Sequence, residues 1–497
     1  MSPHTHNARR LAGQLIMIRF PGTELDAATA DFLRANAIRA VCLFRGNMLD
    51  SAQLTRLTAD LRAVMGPEAL IAIDQEGGAV VRSTWVPAPP AAMALGAADD
   101  TELAYSVGAA VARAVRALGF NWNFAPVLDL NNNPDNPVIA ERSFGANPRR
   151  ATELAMAWMA GSHAEGVACC VKHFPGHGDT HVDSHRDLPT VDKPLEQLRQ
   201  FEFAPFRAAA PTAPAMMTAH IVYPALDAEN PATMSRRILQ ELLRDEWQYR
   251  GVIITDGMDM HAIAGRYGVG NAAVRALEAG ADMVMALGTP ATQEETLAAI
   301  AAAIDSGQLG LDAVNQRLAR LAALALAYPC RGGAYAEDAA DRALMAAAYR
   351  RSLTARGAVR RPPAGARLRL VVRQDVVSDG VSEAGVPAAA VAASLGRLYD
   401  VELTTFADAD AFDWSALPDD GRFVVLASTS RLRYGAHARA TWRPDLHLAL
   451  WNPYQALDIA APALLTYGFA APALAAINAW LAGTLEARGR CPVPGFE

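Results

Sequence analysis

Short apolar runs alternate with longer amphipathic stretches through residues 1–330. The runs are GQLIMIRF (13–20), AVCLF (40–44), LIAI (70–73), FNWNFAPVLDL (120–130), ACCV (168–171), AMMTAHI (215–221), GVIIT (251–255) and ADMVMAL (281–287). Between them, segments such as DAATADFLRANA (26–37) and TELAYSVGAAVARAVRAL (101–118) carry apolar residues at helical spacing. Strands separated by helix-length segments must run parallel, because the chain crosses over between them. Eight such repeats predict a (β/α)8 TIM barrel over 1–330.

The segment AYPCRGGAYAED (327–338) contains Pro and Gly and ends the repeat, so it reads as a linker. Residues 331–497 form a second domain in this reading, opened by a helix over 337–353. Strands are predicted at LRLVVRQ (368–374), VELTTF (401–406), FVVLAST (423–429), LHLALW (446–451) and ALLTYG (463–468). Helical stretches at 387–399 and 472–487 complete a smaller αβα sandwich.

Composition narrows the class. A hydrophobic fraction of 52% supports sizeable cores. A net charge of -7 with no dense basic tract argues against a nucleic-acid partner. The apolar start LAGQLIMIRFPG is short, is interrupted by Arg19 and lacks a small-residue cleavage site, so it reads as a first strand rather than a leader. No other segment is long enough to cross a membrane. The five cysteines are odd in number and lack metal-type spacing, which fits a reduced, cytoplasmic setting. The expected assembly is a monomer or homodimer.

The chemistry concentrates in KHFPGHGDTHVDSH (172–185). Four of the eleven histidines fall in these fourteen residues, with Asp179 and Asp183. Such a density of titratable groups does not suit a packed core. The chain has only two lysines, Lys172 and Lys193, against 43 arginines, so Lys172 is read as chosen for its compact ammonium. Barrel enzymes place their sites at the C-terminal ends of the strands. Asp74 directly follows LIAI, Lys172 and His173 follow ACCV, Asp256 follows GVIIT, and Arg142 lies in the loop after the fourth strand. Asp256 is the candidate nucleophile or general base, whereas Asp259 reads as a cap for the next helix. Asp183 and His185, two residues apart on extended backbone, share a side. That pairing can fix the imidazole tautomer and tune it to give and take a proton near neutrality.

Other elements read as scaffolding. PGHG (175–178) permits a turn and lacks the spacing of a phosphate-cradling loop, and no cofactor is expected. His177, Asp179 and His181 are expected to orient their loop, EGG (76–78) to make a tight turn, and RLRYG (431–435), whose Arg431, Arg433 and Tyr434 could reach a substrate, to be a solvated loop. A metal-dependent hydrolase using His173, His177, Asp179, His181 and His185 is the alternative from another class. Their spacing matches no metal geometry and leaves TDGMD without a role, so no metal is expected.

Taken together these motifs resemble family 3 glycoside hydrolases of the β-N-acetylglucosaminidase branch. The matching pieces are AIDQEGGAVVR (72–82), NFAPVLDL (123–130), ERSFGANP (141–148), KHFPGHGDTHVDSH (172–185), TAHIVYPALD (218–227) and VIITDGMDM (252–260). In the second domain, LWNPYQ (450–455), LTYGF (465–469) and RCPVPG (490–495) are similar to that family's αβα sandwich. The resemblance implies retaining hydrolysis of terminal β-linked N-acetylglucosamine from muropeptides or chitin fragments. It makes Asp256 the nucleophile and His185, oriented by Asp183, the acid/base. It assigns Asp74, Arg82, Arg142, Lys172 and His173 to the hydroxyls of the terminal sugar. Two departures, Ala79 where the family often has Arg and GMDM after the nucleophile, bear on aglycone and fine sugar preference. A β-N-acetylglucosaminide phosphorylase and a family 3 β-glucosidase are the alternatives within the family.

Overall fold

The computed structural model describes residues 3–182, 187–363, 365–375, 378, 381–382 and 385–496. Eight parallel strands close into a barrel. They are β1 (Ile16–Ile18), β2 (Ala40–Cys42), β3 (Leu70–Ile73), β4 (Trp122–Asn123), β5 (Ala168–Phe174), β6 (Ala215–Thr218), β7 (Val252–Gly257) and β8 (Met283–Ala286). Each pairs with its chain neighbours, and β1 pairs with β8 to close the ring. The strands are buried almost throughout, which is why they read as continuous apolar runs rather than alternating ones.

β4 is far shorter than its apolar run, though single bonds continue beyond it, Phe124 N donating to Ile73 O at 2.9 Å and Leu128 N to Lys172 O at 2.7 Å. Side-chain amides also extend the pairing. Asn121 Oδ1 accepts from Ile71 N at 2.8 Å, and its Nδ2 donates to Ala69 O at 3.0 Å. Asn123 repeats the pattern on Gln75, accepting from its N at 3.0 Å and donating to its O at 3.1 Å. The segment between β3 and the active face is thereby fixed from the side.

The second unit holds a six-stranded sheet. Its strands are β9 (Thr354–Arg356), β10 (Arg367–Arg373), β11 (Asp400–Phe406), β12 (Phe423–Ser428), β13 (Leu446–Ala449) and β14 (Ala463–Leu465), in the order β9-β14-β13-β12-β10-β11. All pairs are parallel except β9 with β14. The faces alternate as a strand requires. Leu368, Leu370 and Val372 pack with Val391, Ile477 and Trp480 from the helices Ala388–Leu395 and Ala471–Leu481. Val371 and Leu426 pack oppositely with Ala438 and Trp442. The αβα layering is therefore as expected, with β9 an addition.

The helix Ala339–Ser352, expected to open the second domain, touches both units. Met345 and Ala348 belong to the barrel core, while Tyr349 packs on Ala473 and Ala476. The RLRYG loop is docked rather than solvated, apart from the exposed Leu432. Arg431 and Tyr434 are buried, and Arg431 reaches Val138 and Glu141 of the barrel. Arg433 donates to Asp458 Oδ2 at 2.7 Å and to Pro134 O at 2.9 Å. Among the described residues, no helix is long and apolar enough to cross a membrane.

Candidate active site

Asp74 leaves the end of β3 and is followed by a tight turn. A side chain at Gly77 would stand 2.2 Å from Pro90 O, so only glycine lets the two strands of chain approach. The Gln75 side chain clamps the returning limb, accepting from Arg82 N at 3.0 Å and donating to Ser83 O at 3.0 Å. Arg82 is thus turned back toward Asp74, with Nη2 3.4 Å from Oδ2. Its Nη1 donates at 3.0 Å to Val381 O, a residue of the second unit.

Lys172 and His173 lie within β5 rather than after it, joined by a cis peptide bond. The ladder to β6 shifts register between Val171 and Phe174, a bulge of the kind that re-aims side chains at barrel rims. Lys172 Nζ lies 2.8 Å from Asp74 Oδ1 and 2.7 Å from Glu76 Oε1. His173 Nδ1 meets Asp129 Oδ2 at 2.6 Å, and Asp129 Oδ1 also accepts from His177 N at 2.6 Å. Arg142, in the turn Ala140–Arg142, grips both oxygens of Glu76 at 2.9 and 2.8 Å and lies 3.5 Å from His173 Nε2. Asp256 is the penultimate residue of β7, its Oδ1 accepting from Gly257 N at 2.8 Å.

Asp74, Arg82, Arg142, Lys172, His173 and Asp256 all line one cavity of about 170 Å³ at the C-terminal face. Two larger clefts, of about 660 and 520 Å³, border Arg488 away from the strand ends and carry none of these groups. Asp183 and His185 lie outside the described residues.

Charge pairing fixes the ionisation of the cavity. Burial pushes the Asp74 carboxyl up, but Lys172 and Arg82 together outweigh it and hold it below the usual carboxylate range. Glu76 is likewise opposed by burial and drawn well down by Arg142 and Lys172. Burial would lower Lys172, yet Asp74 and Glu76 keep it charged. The wall thus presents ionised acceptors beside ionised donors, an arrangement suited to a polyhydroxylated ring.

Two residues were not singled out by the sequence, and a third was given another role. Glu76 stands two positions after Asp74, the same spacing that drew attention to Asp183 and His185. Asp129 is a charged residue inside an apolar run, which is itself a signal. Asp259 is no cap: the cap position of the helix His261–Tyr267 is Met260, and Asp259 lines the cavity instead.

The histidine-rich loop is tied down where it is described. His177 Nδ1 meets Thr180 Oγ1 at 2.9 Å, and Asn136 Nδ2 donates to His177 O and Gly178 O at 2.9 and 3.1 Å. Asp179 pairs with Lys193 at 2.6 Å, and His181 Nδ1 lies 3.2 Å from Asn133 Nδ2. A side chain at Gly178 would stand 1.6 Å from Leu130 O. These contacts point His173, His177 and Asp179 to separate partners. Among the described residues, no three His, Cys, Asp or Glu side chains form a group fit for a metal ion.

Comparison with known proteins places these residues in a wider setting. Residues 9–324 match the glycosyl hydrolase family 3 N-terminal domain. A β-hexosaminidase of Pseudomonas aeruginosa (strain LESB58) is 39% identical over 290 residues, covering 57% of this chain and 86% of that protein. β-Hexosaminidase A of Pseudoalteromonas piscicida is 36% identical over 336 residues, covering 62% of this chain and 56% of that longer protein. The solved structure of a glycoside hydrolase family 3 β-N-acetylglucosaminidase from Paenibacillus sp. str. FPU-7 superposes with a TM-score of 0.90. It is 33% identical, and the match covers 98% of each chain.

Proposed function

The chain belongs to glycosyl hydrolase family 3, and from that premise we propose that it is an exo-acting, retaining β-N-acetylglucosaminidase. One observation carries the reading. Asp256 shares a cavity of about 170 Å³, on the scale of one sugar ring, with the Asp74–Lys172–Arg142 network. A site of that size takes the end of a glycan rather than its middle. The names of the relatives, β-hexosaminidase and β-N-acetylglucosaminidase, support an N-acetylhexosamine as that terminal sugar.

In the first displacement the Asp256 carboxylate attacks the anomeric carbon while the glycosidic C–O bond breaks. His185, oriented by Asp183, gives its proton to the leaving oxygen. In the second, His185 takes a proton from water, the water oxygen attacks the anomeric carbon, and the Asp256 ester bond breaks. Two inversions retain the configuration. A histidine acid/base, in place of a second carboxyl, avoids setting another anion beside Asp256. Asp74, Arg82, Arg142, Lys172 and His173 hold the ring hydroxyls and spend binding energy on its placement. Muropeptides or chitin fragments in the cytoplasm supply such ends, which puts the enzyme in peptidoglycan recycling.

The test compares initial rates on aryl β-N-acetylglucosaminides and aryl β-glucosides, and follows the first-formed anomer by NMR. The N-acetylated substrate should be preferred and the β-anomer should appear first. Asp256→Asn should lose about 10³-fold or more in kcat, and azide should trap Asp256→Ala as the α-glycosyl azide. Full turnover by Asp256→Asn would overturn the mechanism. Accumulation of a sugar 1-phosphate in phosphate buffer would replace hydrolysis by phosphorolysis.

A further inference from the structure

We infer that Arg431 of the second unit is a positioning residue for Arg142, acting through Glu141 and the carbonyl of Val138. The sugar site would then be built by both units. The inference rests on the proposed role of Arg142 as a donor to the sugar.

Arg142 rides on the turn 138–142, which is not a relaxed one. Ala140 has a φ of +36°, toward the left-handed side that L-residues avoid. Such a turn persists when its surroundings over-determine it. The surroundings here come largely from the second unit. Arg431 Nη1 donates to Val138 O, the same carbonyl that accepts from Arg142 Nη1 at 3.3 Å. Arg431 Nη2 donates to Glu141 Oε1 at 3.1 Å, and Trp451 Nε1 donates to that oxygen at 2.8 Å. Tyr454 donates to Asn131 Oδ1 at 3.1 Å, and Asn131 Nδ2 donates to Ala140 O at 2.8 Å. Val381 packs with Val138 and Ile139 on the remaining side.

The Arg431–Glu141 pair is buried, with side chains 4% and 1% exposed. A buried ion pair seldom adds stability over well-packed apolar residues, because desolvation offsets the attraction. What it supplies is direction. Glu141 immediately precedes Arg142, so fixing the Glu141 carboxylate fixes the backbone from which Arg142 reaches Glu76.

The experiment uses the full chain carrying Arg431→Met, Arg431→Lys or Trp451→Phe. Amide hydrogen exchange across 138–142 is measured without substrate, alongside kcat, KM and Tm. Arg431→Met should speed exchange in that segment and raise KM between about 10- and 100-fold, with kcat within about threefold. Arg431→Lys should fall between the wild type and Arg431→Met. Trp451→Phe should move the same readouts less, and it decides the matter should Arg431→Met not fold. Unchanged exchange at 138–142 with unchanged KM would overturn the inference, whatever happens to Tm. A fall in kcat at constant KM would do the same. The exchange readout needs no turnover, so a wild-type protein inactive on all glycosides would sink the proposed function and leave the positioning decided by exchange alone.

Discussion

Lys172 Nζ stands 2.8 Å from Asp74 Oδ1, joining the end of β5 to the end of β3 across the barrel mouth. The same ammonium holds Glu76, so one cation is lodged between two buried carboxylates that Arg82 and Arg142 hold from their other sides. Removing it leaves Asp74 and Glu76 as like charges facing each other in the largely buried cavity wall, with only the two arginines to offset them. Lys172→Met should destabilise the protein by roughly 3–5 kcal/mol in urea unfolding. It should also lower kcat/KM by about 10²-fold or more, which corresponds to about 3 kcal/mol. Lys172→Arg should not restore either, because a planar fork cannot occupy a point between two carboxylates. A fully active Lys172→Arg would contradict this.

Arg142→Lys tests the opposite geometry. The guanidinium bridges both oxygens of Glu76 and approaches His173, which a single ammonium cannot do at once. KM should rise by about tenfold or more with a smaller change in kcat, since the lost contact is made to bound sugar in ground and transition states alike. Steady-state kinetics on an aryl β-N-acetylglucosaminide decide it.

Gly178 is required for closeness rather than for an unusual dihedral. The position where its Cβ would lie is 1.6 Å from Leu130 O, so even Ala must push the loop off the barrel rim. Gly178→Ala should cost about 10²-fold in kcat/KM while the barrel stays folded, as judged by far-UV circular dichroism and Tm. Unaltered kinetics would show that the loop's seat does not matter.

Acid should weaken the fold before it reaches the carboxylates. His177 and His447 are buried, and burial holds them at about 4 and about 3, against an ordinary 6.5. Their folded values lie below their unfolded ones, so the unfolded chain binds protons first as the pH falls. The stability they carry is complete above pH 6.5 and is lost as the pH drops toward 3–4. Asp74 and Glu76 are also depressed, so their share is complete above their ordinary values of 4.5 or less and begins to be lost only at the acid end of that window. At about 1.4 kcal/mol per pKa unit, stability should decline by several kcal/mol between pH 6.5 and 4. Urea unfolding across that range should show it, and His447→Gln should flatten the curve. A level wild-type profile from pH 7 to 4 would refute the account.

The alternation of apolar runs and helices located all eight barrel strands, because parallel strands buried on both faces leave an unmistakable pattern. It missed β9, a three-residue strand with no period to detect. Asp74, Arg142, Lys172, His173 and Asp256 were legible because each follows or ends a strand, or lies in a loop beyond one, whereas Arg82 came only from the family resemblance. Glu141 and Arg431 were not. Their partnership spans 290 positions, and RLRYG on its own looks like any polar loop. Asp259 looked like a helix cap because local sequence favours that role, but Met260 occupies the cap position. Local pattern fixes where a side chain starts; only the closed barrel and the docked second unit decide what it meets.

The scarcity of lysine has a practical consequence. Lys172 is buried, and Lys193 is engaged with Asp179 and Glu202. Amine-directed labels such as succinimidyl esters therefore find almost no side-chain target on the surface. Labelling of Lys172 would report the opening of the cavity, and a sugar bound there should shield it. The protein thus carries its own footprinting probe for occupancy, placed in the site, with Lys193 as the one other side-chain amine to be told apart from it.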